Sequence, residues 1–160
     1  MAYLFVLPFD HRGSFKKMLF AGVDELNEEQ HQTIKDYKHV IYDAMTRIGK
    51  DRVYDDLAIL ADEECWLDIH TDVKKEGIRN LLTTEKSGEK IYDFQYDDWK
   101  QHILDIKPTY AKALIRVVKG EDNSVQNGRL KEINDFCAEN DIGFLIEPLV
   151  QARDEDLEAV

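Results

Sequence analysis

Tyr110-Ala111-Lys112-Ala113-Leu114-Ile115-Arg116-Val117-Val118 decides the fold. Nine residues, mostly apolar and β-branched towards the end, read as a buried strand. Side chains alternate along a strand with a period of two. One side therefore carries Lys112, Leu114 and Arg116, and the other carries Ala111, Ala113, Ile115 and Val117. The small and branched set reads as the side packed on helices. A lysine and an arginine on the same opposite side point to a barrel lumen rather than a second packed layer. A lysine inside an apolar run is costly to bury alone, so Lys112 calls for a carboxylate or a ligand beside it. Glu147, on the following strand, answers that need; a purely structural Lys112–Glu147 ion pair is the competing reading.

Outward from this strand, the same rhythm repeats in both directions. Tyr3 to Phe9, Leu57 to Ala61, Ile78 to Leu82 and Phe144 to Ile146 are short apolar runs with strand character, and Pro8 sits near the end of the first, where its missing N–H is tolerable. Helical spacing separates them. Asn27 and Gln30 have capping-box spacing before a helix whose apolar positions are Ile34, Tyr37, Val40, Ile41, Ala44, Met45 and Ile48, with Gly49 as its stop. Trp66, Ile69 and Val73 mark a second helix closed by Gly77, Trp99 to Ile106 a short third one ending before Pro108, and Leu130, Ile133 and Cys137 a fourth before Asn140. The last ten residues read as the opening of another helix. Strands alternating with helices give an α/β protein with a parallel sheet and right-handed crossovers. About five β/α units are present, in one domain over residues 1–160: a partial (β/α)8 TIM barrel, since a full one needs roughly 250 residues.

The 43% apolar and 34% charged fractions are those of an ordinary folded domain. Net charge is −12, from 33 acidic and 21 basic residues. That excess repels polyanions, so neither nucleic acid nor an anionic membrane surface is an expected partner. A small anion held by local Lys and Arg stays compatible with it. The start, Met1 to His11, lacks the basic segment and cleavage site of a signal peptide, and no apolar run approaches the roughly 20 residues of a membrane span. Cys65 and Cys137 fall in helical patterns and read as buried thiols, which suits a cytoplasmic location.

Every strand carries polar groups at or towards its C-terminal end, the face on which parallel α/β folds keep their sites. The first delivers Asp10, His11 and Arg12, the second Asp62 and Glu63, the third Glu85 and Lys86, and the fifth Glu147, while the fourth carries Lys112 and Arg116 within it. Solvated turns are the plain alternative for any one of these positions. A metal site built from Asp10, His11, Glu63, Glu85 and Glu147 is a further alternative. No HxH or HExxH spacing favours it, and His31, His39, His70 and His102 fall in helical segments. No metal and no cofactor is expected.

The stretch from Leu4 to Phe15, with Leu60-Ala61-Asp62-Glu63-Glu64, Glu85-Lys86-Ser87-Gly88, Ala111 to Arg116 and Phe144-Leu145-Ile146-Glu147-Pro148-Leu149, resembles the DUF2090 family, in order and over nearly the whole chain. That aldolase-like domain is associated with 5-dehydro-2-deoxygluconokinase of bacterial myo-inositol catabolism and is similar to class I aldolases of the tagatose-bisphosphate type. The resemblance implies an aldolase-type lyase acting on a ketose phosphate through a Schiff base. Asp10, Lys112 and Glu147 would then be catalytic: Asp10 for C–C cleavage or a hydroxyl proton, Glu147 as general acid/base during imine formation, and Lys112 as its electrostatic partner. His11, Arg12, Asp62, Glu63, Lys86 and Arg116 would contact the phosphorylated sugar.

The resemblance also implies that the imine lysine belongs to a sixth strand. No lysine follows Lys131 here, so the chain alone is expected to be inactive. A non-catalytic sugar-phosphate-binding or regulatory module is the alternative. Five barrel strands leave open edges, so self-association or a complementary barrel-half chain is the expected remedy.

Overall fold

A computed structural model describes residues 4–50, 57–63, 69, 73, 75–118 and 120–151. The chain divides into two compact units, Met1–Thr83 and Thr84–Val160. In both, parallel strands alternate with helices in chain order, which is the α/β class of a partial barrel.

The first unit holds β1 (Phe5–Phe9), α1 (Gly13–Leu19), α2 (Glu28–Lys50), β2 (Leu57–Ala61) and β3 (Arg79–Thr83). β1 pairs with β2 and β2 with β3, all parallel. Leu7 and Phe9 share a side with Leu57, Ile59 and Ala61, and this side packs with Ile41, Tyr42 and Met45 of α2 and with Ile69, Val73 and Ile78. Full burial of a side chain such as Ile59 contributes about 1.5–3 kcal/mol. α2 begins with the capping box its sequence encodes: Asn27 N–H donates to Gln30 Oε1 at 3.0 Å, and Gln30 N–H donates to Asn27 Oδ1 at 2.9 Å. Gly77, at φ +73, closes the turn into β3, with Ile78 N–H on the Val73 carbonyl at 3.0 Å.

Some expectations for this unit need correction. α1 carries no sequence signal strong enough to have been anticipated. Gly49 lies inside the last turn of α2 rather than ending it, because one glycine costs a helix only about 1 kcal/mol. Tyr37 and Val40 are 51% and 66% exposed, and Ala44 is exposed too. The seven apolar positions span more of the helix circumference than the strands can cover, so the buried face is the narrower one of Ile34 and Met45. Cys65, Trp66, His70 and the last nine residues lie outside the described residues.

The second unit holds α3 (Trp99–Ile106), β4 (Tyr110–Val118), α4 (Ser124–Glu139) and β5 (Gly143–Gln151). Its start, Thr84 to Gln95, folds back on itself: Glu85 bridges Phe94 antiparallel, and Lys86 N–H donates to the Asp93 carbonyl at 2.9 Å. β4 and β5 pair in parallel over nine positions, from Tyr110 with Gly143 to Val118 with Gln151. Ala113, Ile115 and Val117 pack against Leu130 of α4 and against Tyr92, Phe94 and Phe144, so the helix-facing side of β4 is the one its alternation indicates. β5 is longer than Phe144 to Ile146, and it continues through Pro148, which among the described residues has a strand partner only in β4.

Gly143 is required by close approach rather than by φ. A Cβ there would lie 2.1 Å from Cδ1 of the Tyr110 ring. Gly143→Ala is therefore expected to destabilise the fold by about 1–3 kcal/mol. The shortfall should shrink in a Gly143→Ala/Tyr110→Ala pair, read from urea unfolding midpoints.

Candidate active site

The centre of the second unit is Lys112, whose side chain is 0% exposed. Its Nζ lies 2.8 Å from Glu147 Oε2 and 3.3 Å from Glu85 Oε1. The register explains the first contact. Lys112 stands opposite Leu145, and Glu147 stands opposite Leu114, two residues on, so both side chains leave the sheet on the side away from Leu130. Glu147 is the fifth of the nine β5 residues, inside the strand rather than at its end.

Glu85 arrives from the fold-back segment and is buried; its Oε2 also accepts the Leu114 N–H at 3.3 Å. Sequence reasoning gave Glu85 no part in the pairing of Lys112. Its place depends on the fold-back from Thr84 to Gln95, which no local sequence pattern marks. Glu147 is 46% exposed, and its second oxygen has no partner among the described residues. The pair is thus a carboxylate fixed on one side by a buried cation and open on the other.

The backbone at Lys112 is fixed as firmly as its side chain. Thr84 donates to the Lys112 carbonyl from both N–H, at 3.0 Å, and Oγ1, at 2.9 Å. A threonine hydroxyl has one proton. With that proton on Lys112, the Tyr92 hydroxyl, 2.9 Å away, donates to Thr84 Oγ1. Tyr92 N–H in turn donates to Gln126 Oε1 at 3.0 Å, Gln126 Nε2 to the Arg116 carbonyl at 3.2 Å, and Arg129 Nη1 to the Tyr92 carbonyl at 2.6 Å.

Burial pushes the Tyr92 phenol well above the ordinary tyrosine value, and the Glu85 charge adds to the rise. The folded state then keeps a proton that the unfolded state releases near pH 10. Stability from Tyr92 is fully present below that pH and falls as pH rises beyond it. Absorbance titration of phenolate should show a tyrosine that ionises only as the protein unfolds, and Tyr92→Phe should remove that step. The buried Cys137 thiol is likewise pushed up by burial, to about 11, and is unreactive packing material.

The other second-unit candidates are less enclosed than Lys112. Lys86 is exposed, and Arg116 is half-buried with its Nη1 donating to the Glu89 carbonyl at 2.7 Å.

In the first unit, Asp10, His11 and Arg12 form the short irregular link between β1 and α1, with Asp10 and Arg12 half-buried and His11 exposed. Arg12 is the N-cap residue of α1. Asp62 follows β2 directly and is 2% exposed; its carboxylate is ion-paired with Lys38, which is 1% exposed and donates also to the His11 carbonyl at 3.0 Å. Glu63, next to it, is half-buried.

Lys38 is the residue that reading the sequence missed. Its signal was positional: Ile34, Lys38, Ile41 and Met45 are spaced as one helix face, with a lysine where an apolar residue belongs.

Among the described residues no group of three histidines, cysteines or carboxylates is arranged to hold a metal ion, and no helix is long and apolar enough to cross a membrane. No model of a known protein family matches the chain, and no curated protein matches it either.

Proposed function

We propose that the chain is the N-terminal part of an aldolase-type lyase domain that acts on a ketose phosphate through a lysine imine. The reading rests on the family resemblance of the quoted segments, and one observation supports it most: the half-exposed Glu147 carboxylate held by the fully buried Lys112. A general acid/base needs one face anchored and one face within reach of the reacting oxygen. Glu147 would pass the proton that lets the carbinolamine hydroxyl leave as water. The resemblance adds Asp10, for the proton of the hydroxyl next to the bond that breaks, and names Arg12, His11, Lys86 and Arg116 as candidate contacts to phosphate and sugar oxygens. The imine lysine lies outside this sequence, which has no lysine after Lys131. The reading places the protein in the cytoplasm.

A second reading is a binding or regulatory module without turnover. Both readings leave Lys112 out of imine formation, because its amine faces two carboxylates and is enclosed, a poor position from which to attack a carbonyl.

Titration calorimetry with dihydroxyacetone phosphate tests what the two readings share. Saturable binding that weakens in Glu147→Gln and in Arg12→Ala supports a sugar-phosphate site. Absence of binding, or equal binding in all three proteins, rejects it. Release of an aldehyde from a longer ketose phosphate by the chain alone would reject the account of the imine lysine.

A further inference from the structure

We infer that Lys38 is a positioning residue for the ligand-facing link between β1 and α1, a role that rests on the sugar-phosphate reading above. Three observations carry it. Lys38 is 1% exposed, on the face of α2 that otherwise presents Ile34, Ile41 and Met45. A methionine there would fill the space without the desolvation that a buried ammonium suffers. The ammonium is spent on two groups only a few residues beyond the cores of neighbouring strands: the Asp62 carboxylate after β2 and the His11 main-chain carbonyl after β1. The link it touches, Asp10-His11-Arg12, has no regular secondary structure, so no strand or helix hydrogen-bond ladder fixes the His11 carbonyl.

α2 therefore acts as a rigid arm of 23 residues that delivers one cation inward. The cation ties the end of β1 to the end of β2. Asp62, buried by this tie, serves as the anchor of Lys38, and the link so held carries the exposed His11 and the half-buried Arg12. A lysine suits the task because its three donors can serve a carboxylate and a carbonyl at once.

The test separates position from stability. Lys38→Met/Asp62→Leu replaces the ion pair by apolar groups of similar size, an exchange that buried pairs tolerate, yet it removes the bond to His11. Lys38→Arg keeps a cation. Nuclear magnetic resonance titrations with dihydroxyacetone phosphate, and with inorganic phosphate as the bare anion, follow the His11 ring and the Arg12 amide. The expected result is that the native chain binds dihydroxyacetone phosphate with shifts at both residues. The double variant should stay folded, with its His11 and Arg12 signals displaced before any ligand is added, and should bind roughly tenfold or more weakly. Lys38→Arg should recover part of the loss. A native chain that binds while the folded double variant binds equally well overturns the positioning role alone. A native chain that shows no shift with either probe overturns the sugar-phosphate reading and this role with it.

Discussion

Lys112→Ala is expected to lower the free energy of unfolding by about 3–5 kcal/mol, the cost of removing one member of a buried ion pair. The lysine is fully enclosed, and it is the cation that both Glu85 and Glu147 face. Its removal takes the ammonium away from Glu85, which is nearly buried and has little access to water. Glu147 is about half exposed and can turn to water. The three single changes should therefore rank: Lys112→Ala largest, Glu85→Gln next, and Glu147→Gln at about 1 kcal/mol or less. Lys112→Met keeps most of the stem volume and separates lost packing from lost charge. Urea unfolding followed by circular dichroism gives the ranking. A Lys112→Ala loss below that of Glu147→Gln would mean that the lysine is solvated and that the triad does not hold the strands together.

The second large effect is expected at Lys38 and Asp62. Both side chains are buried, and both lie in the first unit, where the pair ties α2 to the ends of β1 and β2. Either Lys38→Ala or Asp62→Ala should cost about 3–5 kcal/mol, because each takes the counter-charge away from a buried ion. The double change to alanine should cost clearly less than the sum of the two, with a coupling of about 2 kcal/mol in a double-mutant cycle. Lys38→Met/Asp62→Leu should return most of the stability, since the penalty of the single changes comes from taking a buried ion's charged partner away rather than from losing the pair itself. Strict additivity of the two alanine changes would show that the groups do not interact.

The two sites differ in how far the sequence exposed them. Lys112 and Arg116 stood out because strand periodicity is exact: a charge within an apolar nine-residue run must face one definite side, and the next strand offers one carboxylate. The packing of Ala113, Ile115 and Val117 on Leu130 and the Lys112–Glu147 contact follow from that periodicity. Glu85 was harder to see. Its pairing depends on a fold-back between Thr84 and Gln95 that is held by Tyr92, Thr84 and Gln126 through contacts up to 34 positions apart in the chain. No local pattern encodes such contacts. Lys38 was hidden for another reason. Helical periodicity over Ile34 to Ile48 offers more apolar positions than one face can bury, and the surplus, Tyr37 and Val40, drew the stripe away from the true face on which Lys38 lies. The strands were legible to within a residue or two, apart from β5, where Glu147 and Pro148 looked like a strand end and are in fact strand interior. Strand polarity is a weak stop signal where a buried partner charge lies across the ladder.

Reductive trapping tests the account most directly. The chain is incubated with dihydroxyacetone phosphate, reduced with borohydride, digested and mapped by mass spectrometry. No adduct is expected on Lys112, because its amine is enclosed between Glu85 and Glu147 and, on the proposed reading, holds the Glu147 carboxylate rather than forming the imine. A stoichiometric adduct on Lys112 would contradict it, and would make that lysine the nucleophile rather than the partner of Glu147.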